Sequence, residues 1–385
     1  MEKKYVIFGA GKWGYQAVYE YGKENILYII DNNCGSQGKN IEGIPVVNFD
    51  YYVNDDRKPH ILVAIKEYGD VQRQLDENGI SNYSFYVPPF KFFFSPDTLV
   101  YNTYEHREEC KSEKEYNEAT INRKLFQWVD SRVMRLKNNV PMFQHIEIET
   151  YNRCNGVCDF CPVSVKWESR PEHLMEEALF IKIINELAKL DYSGRLALFS
   201  NNEPFLDERI IEFHAYARKK LPRTRMHLYT NGTLLTLDKF IQVMKYLDEL
   251  IIDNYNQELN LIPNCREIKN YCEQHPELIK RVTIVLRKPK EILATRGGDA
   301  PNRNEKISYE NTKCVNPFTQ MIVRPDGKVS LCCNDPLGKN TMGDLTKSTL
   351  CEIWYGERFQ EVRKALSRGR QYYSHCKYCD VFNIY

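Results

Sequence analysis

Three cysteines, Cys154, Cys158 and Cys161, stand in the spacing CxxxCxxC. They directly follow a segment, His145 to Glu149, whose short apolar alternation reads as a β-strand. Three thiolates on one short loop can hold three irons of a cubane cluster and leave the fourth iron open to a ligand. This is the iron–sulfur counterpart of the open position in a catalytic zinc site. The competing reading is a structural zinc site. Such a site wants a fourth ligand nearby, and the next histidine downstream, His173, lies in an unrelated stretch. Either way, a strand must end where the cysteine loop begins, which points to an α/β framework.

Cysteine is the unusual residue of the chain, with 13 in 385 residues. An odd number in a chain with no sign of a secretory signal suggests reduced thiols, so clusters of them read as metal ligands or reactive groups. The rest of the composition excludes several classes. Lys and Arg total 53 against 52 Asp and Glu, so no basic footprint for nucleic acid is present. No apolar run approaches the ~18–20 residues of a membrane span, and a cytoplasmic location is expected.

The order of elements predicts four segments. Residues 1–98 alternate strand and helix: Tyr5 to Phe8, Ile26 to Ile30, Ile44 to Phe49 and Ile61 to Ile65 as strands, Val71 to Asn78 as a helix. That pattern predicts a doubly wound parallel sheet. Residues 99–140 form a charged linker ending in a docking helix within 117–136. Residues 141–300 repeat the βα unit, with helices expected over 175–190, 208–220, 237–247 and 263–274. The strands between them are expected at 196–199, 226–229, 250–252 and 282–286, giving a full or partial barrel of parallel strands. Residues 301–385 form a smaller α+β region with a hairpin turning at Pro325-Asp-Gly327 and one last helix over 350–366.

The triplet, with aromatic Phe160 before its third cysteine, resembles the radical SAM superfamily. The resemblance implies that Cys154, Cys158 and Cys161 ligate a 4Fe–4S cluster whose open iron chelates S-adenosylmethionine (SAM). One-electron cleavage then releases a 5′-deoxyadenosyl radical, with the protein positioning the cofactor. A flavodoxin- or ferredoxin-type protein is the expected electron donor. Asn201-Asn202-Glu203-Pro204 stands where the family usually has Gly-Gly-Glu. Asn tolerates the left-handed backbone best after Gly, so the turn survives. Phe160, Asn202, Glu203, Asn231 and Arg287 are the expected SAM contacts. Among these, Glu203 would take the methionine ammonium and Arg287 its carboxylate.

Downstream, Cys314, Cys332 and the Cys376-Lys-Tyr-Cys379 pair bring four thiolates within reach of one another across the hairpin. Four thiolates close a second cluster. A zinc ribbon is the alternative, and Cys333 could replace Cys332. The stretch resembles the SPASM/twitch auxiliary domain of radical SAM enzymes, in the shorter form with one cluster. Cys265, Cys272 and Cys351 fall on predicted helices and read as ordinary buried thiols.

Near the N-terminus, Gly9-Ala-Gly11-Lys-Trp-Gly14 lies between a strand and a helix, with Asp31 at the end of the next strand. That is the dinucleotide fingerprint. The segment also resembles the small Rossmann-like domain preceding nucleotide-sugar acetyltransferases. The resemblance implies a nucleotide or nucleotide-sugar contact at Gly9, Gly11, Gly14 and Asp31; an empty scaffold is the alternative. Together these features predict an enzyme that abstracts a hydrogen atom from a sugar or nucleotide-sugar-like small molecule, with net oxidation as the expected outcome. Epimerisation, with Cys333 as hydrogen donor, and peptide modification are the alternatives. A zinc- and nucleotide-binding regulator is the non-enzymatic one.

Overall fold

The computed structural model describes residues 4–65, 68–86, 126–127, 129–279, 281–303, 308 and 311–381. Two compact units are present, each built on its own sheet. The first carries β1 (Tyr5–Phe8), β2 (Ile26–Ile30), β3 (Asn40–Ile41), β4 (Ile44–Val47), β5 (His60–Val63) and β6 (Tyr83–Phe85), in the order β3-β4-β2-β1-β5-β6. All neighbours are parallel except the β3–β4 hairpin. β1 is central, and Val6, Ile7 and Phe8 are wholly buried because both sheet faces are covered. The strand expected over 44–49 stops at Val47. Asn48 caps the next helix, Phe49–Val53, by accepting the Tyr51 N–H at 3.0 Å.

The second sheet is made of β7 (His145–Ile148), β8 (Arg195–Ala197), β9 (Arg225–Thr230), β10 (Glu249–Tyr255), β11 (Val282–Arg287), β12 (Gln320–Val323), β13 (Lys328–Ser330) and β14 (Thr341–Asp344). Its order is β11-β10-β9-β8-β7-β12-β13-β14. Strands β7 to β11 are parallel and sequential, with helices Glu177–Lys189, Ile210–Lys220, Leu237–Val243 and Pro263–Gln274 between them. This is the partial barrel. β12, from the C-terminal region, pairs in parallel with β7, aligning Gln320 with His145 and Ile322 with Glu147. The β12–β13 hairpin turns at Gly327, whose φ of +79° suits glycine.

One further expectation needs correction. The last helix is two, Leu350–Trp354 and Glu357–Leu366, because Gly356 takes an extended conformation between them. A Cβ there would sit 2.6 Å from the Glu352 carbonyl oxygen. Of the docking helix, residues 126–127 and 129–136 are helical, and Val129 and Val133 pack on Val315 and Phe318. Residues 99–125, most of the charged linker, lie outside the described residues.

Candidate active site

Along β7 the side chains alternate. Ile146 and Ile148 are fully buried on one face, while His145 and Glu147 line a cavity of about 360 Å³ on the other. The same alternation on β9 sends His227 and Tyr229 to the cavity and Met226 and Leu228 to the apolar layer. The barrel interior therefore carries its polar residues inward, at the strand ends where such folds place their chemistry.

Cys154, Cys158 and Cys161 all line this cavity, with Phe160 between the last two. Burial pushes the Cys154 thiol up to about 12 and raises Cys158 further. Neighbouring thiols push the same way, so thiolates here need the positive charge that bound metal supplies. The loop is shaped around the sulfurs. A Cβ on Gly156 would lie 3.2 Å from Cys154 Sγ and 3.9 Å from Cys158 Sγ. The Gly156 N–H points to Cys154 Sγ at 3.3 Å. Among the described residues no three His, Cys, Asp or Glu side chains converge closely enough to enclose a single ion. The fit to a cluster rests on the all-thiol donor set, the shared cavity wall and the glycine that leaves the sulfurs uncovered.

The expected SAM contacts meet different fates. Asn202 lines the cavity, its Oδ1 accepts the Ser200 N–H at 3.0 Å, and its buried Nδ2 has no hydrogen-bond partner among the described residues. Asn231 donates to Asn155 Oδ1 at 2.8 Å and lies 4.0 Å from Cys154 Sγ. The following Gly232 has φ of +76°, and a Cβ there would meet Ile252 and Cys265 at under 3 Å. Phe160 is buried, its ring centroid 5.9 Å from that of Tyr255.

Glu203, expected to take an ammonium, already accepts the Thr230 hydroxyl at 2.7 Å, the Asn231 N–H at 2.8 Å and the Phe205 N–H at 3.2 Å. Burial holds its pKa up to about 7. It braces the Thr230-Asn-Gly232 turn. Arg287, expected to meet a carboxylate of the cofactor, lines the cavity and pairs with Glu291 at 2.5 Å, with Asp253 also facing it.

The C-terminal thiols form a second group. Cys332, Cys376 and Cys379 are buried and Cys314 is half-buried. Burial raises Cys332, Cys376 and Cys379, and each of these also feels the other thiols of the set. Arg370, 2% exposed, faces all four and donates to the carbonyls of Cys379 at 2.8 Å and Val381 at 2.7 Å. Cys333 parts company with Cys332. Cys333 lines the barrel cavity beside Glu147 and Arg296, whereas Cys332 does not line it and stands near Cys314, Cys376 and Cys379. Cys265 and Cys272 are fully buried on their helix, as expected.

Sequence reasoning missed Glu147, Ser200, Arg296 and Arg370. The polar–apolar alternation of His-Ile-Glu-Ile was the one available signal for Glu147. Arg296 holds φ of +52°, unusual for a side-chain-bearing residue, and donates to Asn201 Oδ1 at 2.5 Å from inside the cavity wall.

In the N-terminal unit the glycine turn is present between β1 and its following helix. Asp31 Oδ2 accepts the Ala10 N–H and Oδ1 the Asn33 N–H, both at 2.7 Å, so this carboxylate braces the turn. Gly9 has φ of +117°, and a Cβ on Gly14 would sit 2.0 Å from the Gly9 carbonyl oxygen. A Cβ on Gly11 would meet open space. The close approach of Ala64 and Ile65 at Gly9, and of the Gly9 carbonyl at Gly14, leaves no room for a side chain at either position.

Residues 148–261 match the model of the radical SAM superfamily, and residues 314–380 match SPASM, an iron–sulfur cluster-binding domain. The chain carries a radical SAM domain and a SPASM-type domain, which bring with them a 4Fe–4S cluster with SAM and an auxiliary iron–sulfur cluster. It is similar to the S-adenosyl-L-methionine-dependent 2-deoxy-scyllo-inosamine dehydrogenase of Niallia circulans, 28% identical over 246 residues, covering 63% of this chain and 95% of that protein. The crystal structure of BtrN in complex with AdoMet and 2-DOIA superposes with a TM-score of 0.54 at 25% identity, covering 63% of this chain and 94% of that one. The first sheet lies ahead of both family matches. Among the described residues no helix is long and apolar enough to cross a membrane.

Proposed function

We propose that this enzyme oxidises a secondary alcohol of a sugar-like small molecule, an amino-cyclitol or amino sugar, to the ketone. One observation carries the reading. The triplet thiols and the Cys333 loop, which adjoins the four-thiol nest, open on the same cavity, and its wall is set with groups that bind hydroxyls: His145, Glu147, Ser200, Asn202 and Arg296. The similarity to a dehydrogenase of 2-deoxy-scyllo-inosamine agrees with that wall.

In this reading Cys154, Cys158 and Cys161 hold the cluster that cleaves SAM, and Cys314, Cys332, Cys376 and Cys379 hold the auxiliary one. When bound, the first cluster and SAM supply a carbon radical that takes a hydrogen atom from the substrate. The chain's own residues do the rest. Asn202 offers the cofactor a buried amide donor, and Asn231 sits beside the first thiol on a turn that Glu203 ties down. Phe160 and Tyr255 form an apolar wall. A flavodoxin- or ferredoxin-type donor supplies the electron. In the N-terminal unit a nucleotide or nucleotide-sugar phosphate would meet the amides of Gly11 to Gly14 at the start of the helix, since the Gly9 N–H donates to Ile30 and the Ala10 N–H to Asp31.

The test is anaerobic, iron-reconstituted enzyme with SAM, a reductant and a panel of amino-cyclitols and amino sugars. A product two mass units lighter than substrate, formed with one 5′-deoxyadenosine, is expected. Release of 5′-deoxyadenosine with no lighter product from any of them sinks the reading. A second reading, epimerisation, has one observation behind it. Cys333 lines the cavity, and burial together with the nearby Glu147 carboxylate raises its thiol, keeping the S–H that a hydrogen donor needs. Deuterium taken into product from deuterated water, and lost in Cys333→Ala, would favour it.

A further inference from the structure

Oxidising an alcohol requires more than removal of a hydrogen atom from carbon. The carbon radical left behind still carries its O–H. Conversion to the ketone sheds one electron and one proton, and the C=O double bond forms as the O–H bond breaks. The electron has an acceptor by class, an oxidised iron–sulfur cluster of the kind four thiolates hold. The proton needs a base on the cavity wall.

We propose that Glu147 is that base: its carboxylate takes the hydroxyl proton of the carbon being oxidised and returns it to solvent after product leaves. The proposal rests on the dehydrogenase reading and goes past it in naming the proton's destination. Glu147 lines the cavity from the centre of the first barrel strand. Its two oxygens are held apart by two neutral donors. The Ser200 hydroxyl donates to Oε2 at 2.6 Å and the Gln320 amide to Oε1 at 3.0 Å. Neutral donors orient a carboxylate without cancelling its charge, which leaves it basic. The bound donors fill one lone pair on each oxygen, and each keeps another for a substrate hydroxyl.

The other acids of the site are engaged differently. Glu203 accepts three hydrogen bonds, Glu149 is held by Arg170 at 3.1 Å, and Asp253 faces Arg287. Glu147 also stands beside Cys333, the residue after Cys332. That places the proton acceptor on the side of the cavity nearest the expected electron acceptor, where the two products of the second oxidation step must separate.

The titration agrees. Burial lifts Glu147 to about 7, so the group changes charge at neutral pH, where a base is most useful. Every charged neighbour is accounted for. Glu149 raises its pKa, the Ser200 bond, Arg296 and Arg195 lower it, and His145 lies 3.8 Å away on the same strand. Tyr229 and Cys333 face it from the next strands and the hairpin loop. Arg296, from a residue held in a rare conformation, is the cation that keeps the ionised form available.

The experiment uses full-length reconstituted enzyme, 2-deoxy-scyllo-inosamine as probe, and the variants Glu147→Gln and Ser200→Ala. Glu147→Gln should lower kcat for ketone formation by ~10² or more, a far larger loss than in probe affinity by calorimetry, with iron content retained. In wild type, kcat should fall as pH drops through about 7, because a protonated carboxyl accepts no proton. Ser200→Ala removes a donor to the anion, so that limb should move up by about 0.5–1 pH unit. Infrared titration of substrate-free protein should lose one carboxyl band near pH 7 in Glu147→Gln. Unchanged kcat in Glu147→Gln overturns the proposal. So does weakened probe binding at unchanged kcat, which would make Glu147 an anchor for an ammonium or hydroxyl. An active wild type separates those outcomes from failure of the dehydrogenase reading, in which wild type itself yields no ketone and no base is required.

Discussion

The two thiol sites of the barrel unit use the same ligand type in opposite surroundings. The triplet lies on a cavity wall, on a single short loop, with Gly156 keeping the sulfurs uncovered. The C-terminal set is gathered from three separated segments, mostly buried, and faced by the guanidinium of Arg370. In the proposed reading the first would leave a coordination position open and the second would close. An open site can bind and activate a ligand; a closed one can only exchange electrons. The difference lies in what covers the sulfurs, not in the sulfurs.

Breaking either site should therefore have unlike consequences. The largest effect is expected from Cys158→Ala, which should abolish 5′-deoxyadenosine formation while the C-terminal iron, read by elemental analysis and Mössbauer spectroscopy, remains. Retained cleavage under dithionite would remove the contrast altogether. Next comes Cys376→Ala. SAM cleavage should persist while ketone formation stops, because the second electron loses its acceptor. A variant that still makes ketone would show that the closed site is structural.

The smallest effect sharpens the role of Arg370. Its guanidinium joins the carbonyls of Cys379 and Val381 to the thiol nest. Arg370→Gln leaves those carbonyls and the thiolates without a cation. Thermal unfolding should register a loss of about 2–4 kcal/mol, and an EPR redox titration should find the auxiliary cluster harder to reduce. An unmoved potential would confine Arg370 to loop anchoring.

How much of this was legible beforehand follows from sequence separation. The triplet, the GAGxxG turn and the Pro-Asp-Gly hairpin are contained in single loops, so their spacing already states their geometry. The parallel βα order was readable for the same reason, since each unit follows from a local change in apolar period. Boundaries moved where a cap intervened, as at Asn48, or where a glycine broke a helix, as at Gly356.

What Asp31, Glu203 and Arg287 touch within the chain was not legible in the sequence, for one shared reason. A charged side chain next to an expected ligand looks available in sequence. In the fold each had been claimed by the chain itself: Ala10 and Asn33 for Asp31, the Thr230 turn for Glu203, Glu291 for Arg287. Buried charge is costly without partners, so the fold supplies them before any substrate arrives.

The sequence by itself determined which chemistry this protein can carry: three thiols on one loop, four more around a hairpin, and a run of βα units to hold them. Only the tertiary structure decided where that chemistry meets its substrate. β12 pairs with β7 across 175 residues, as the Gln320–His145 contact records, and that one pairing sets Gln320 on Glu147 and brings the hairpin's Cys333 to the same cavity wall. No local propensity encodes it. It follows from edge-strand hydrogen bonding and from the burial of both sheet faces, which are satisfied only when the whole sheet is assembled.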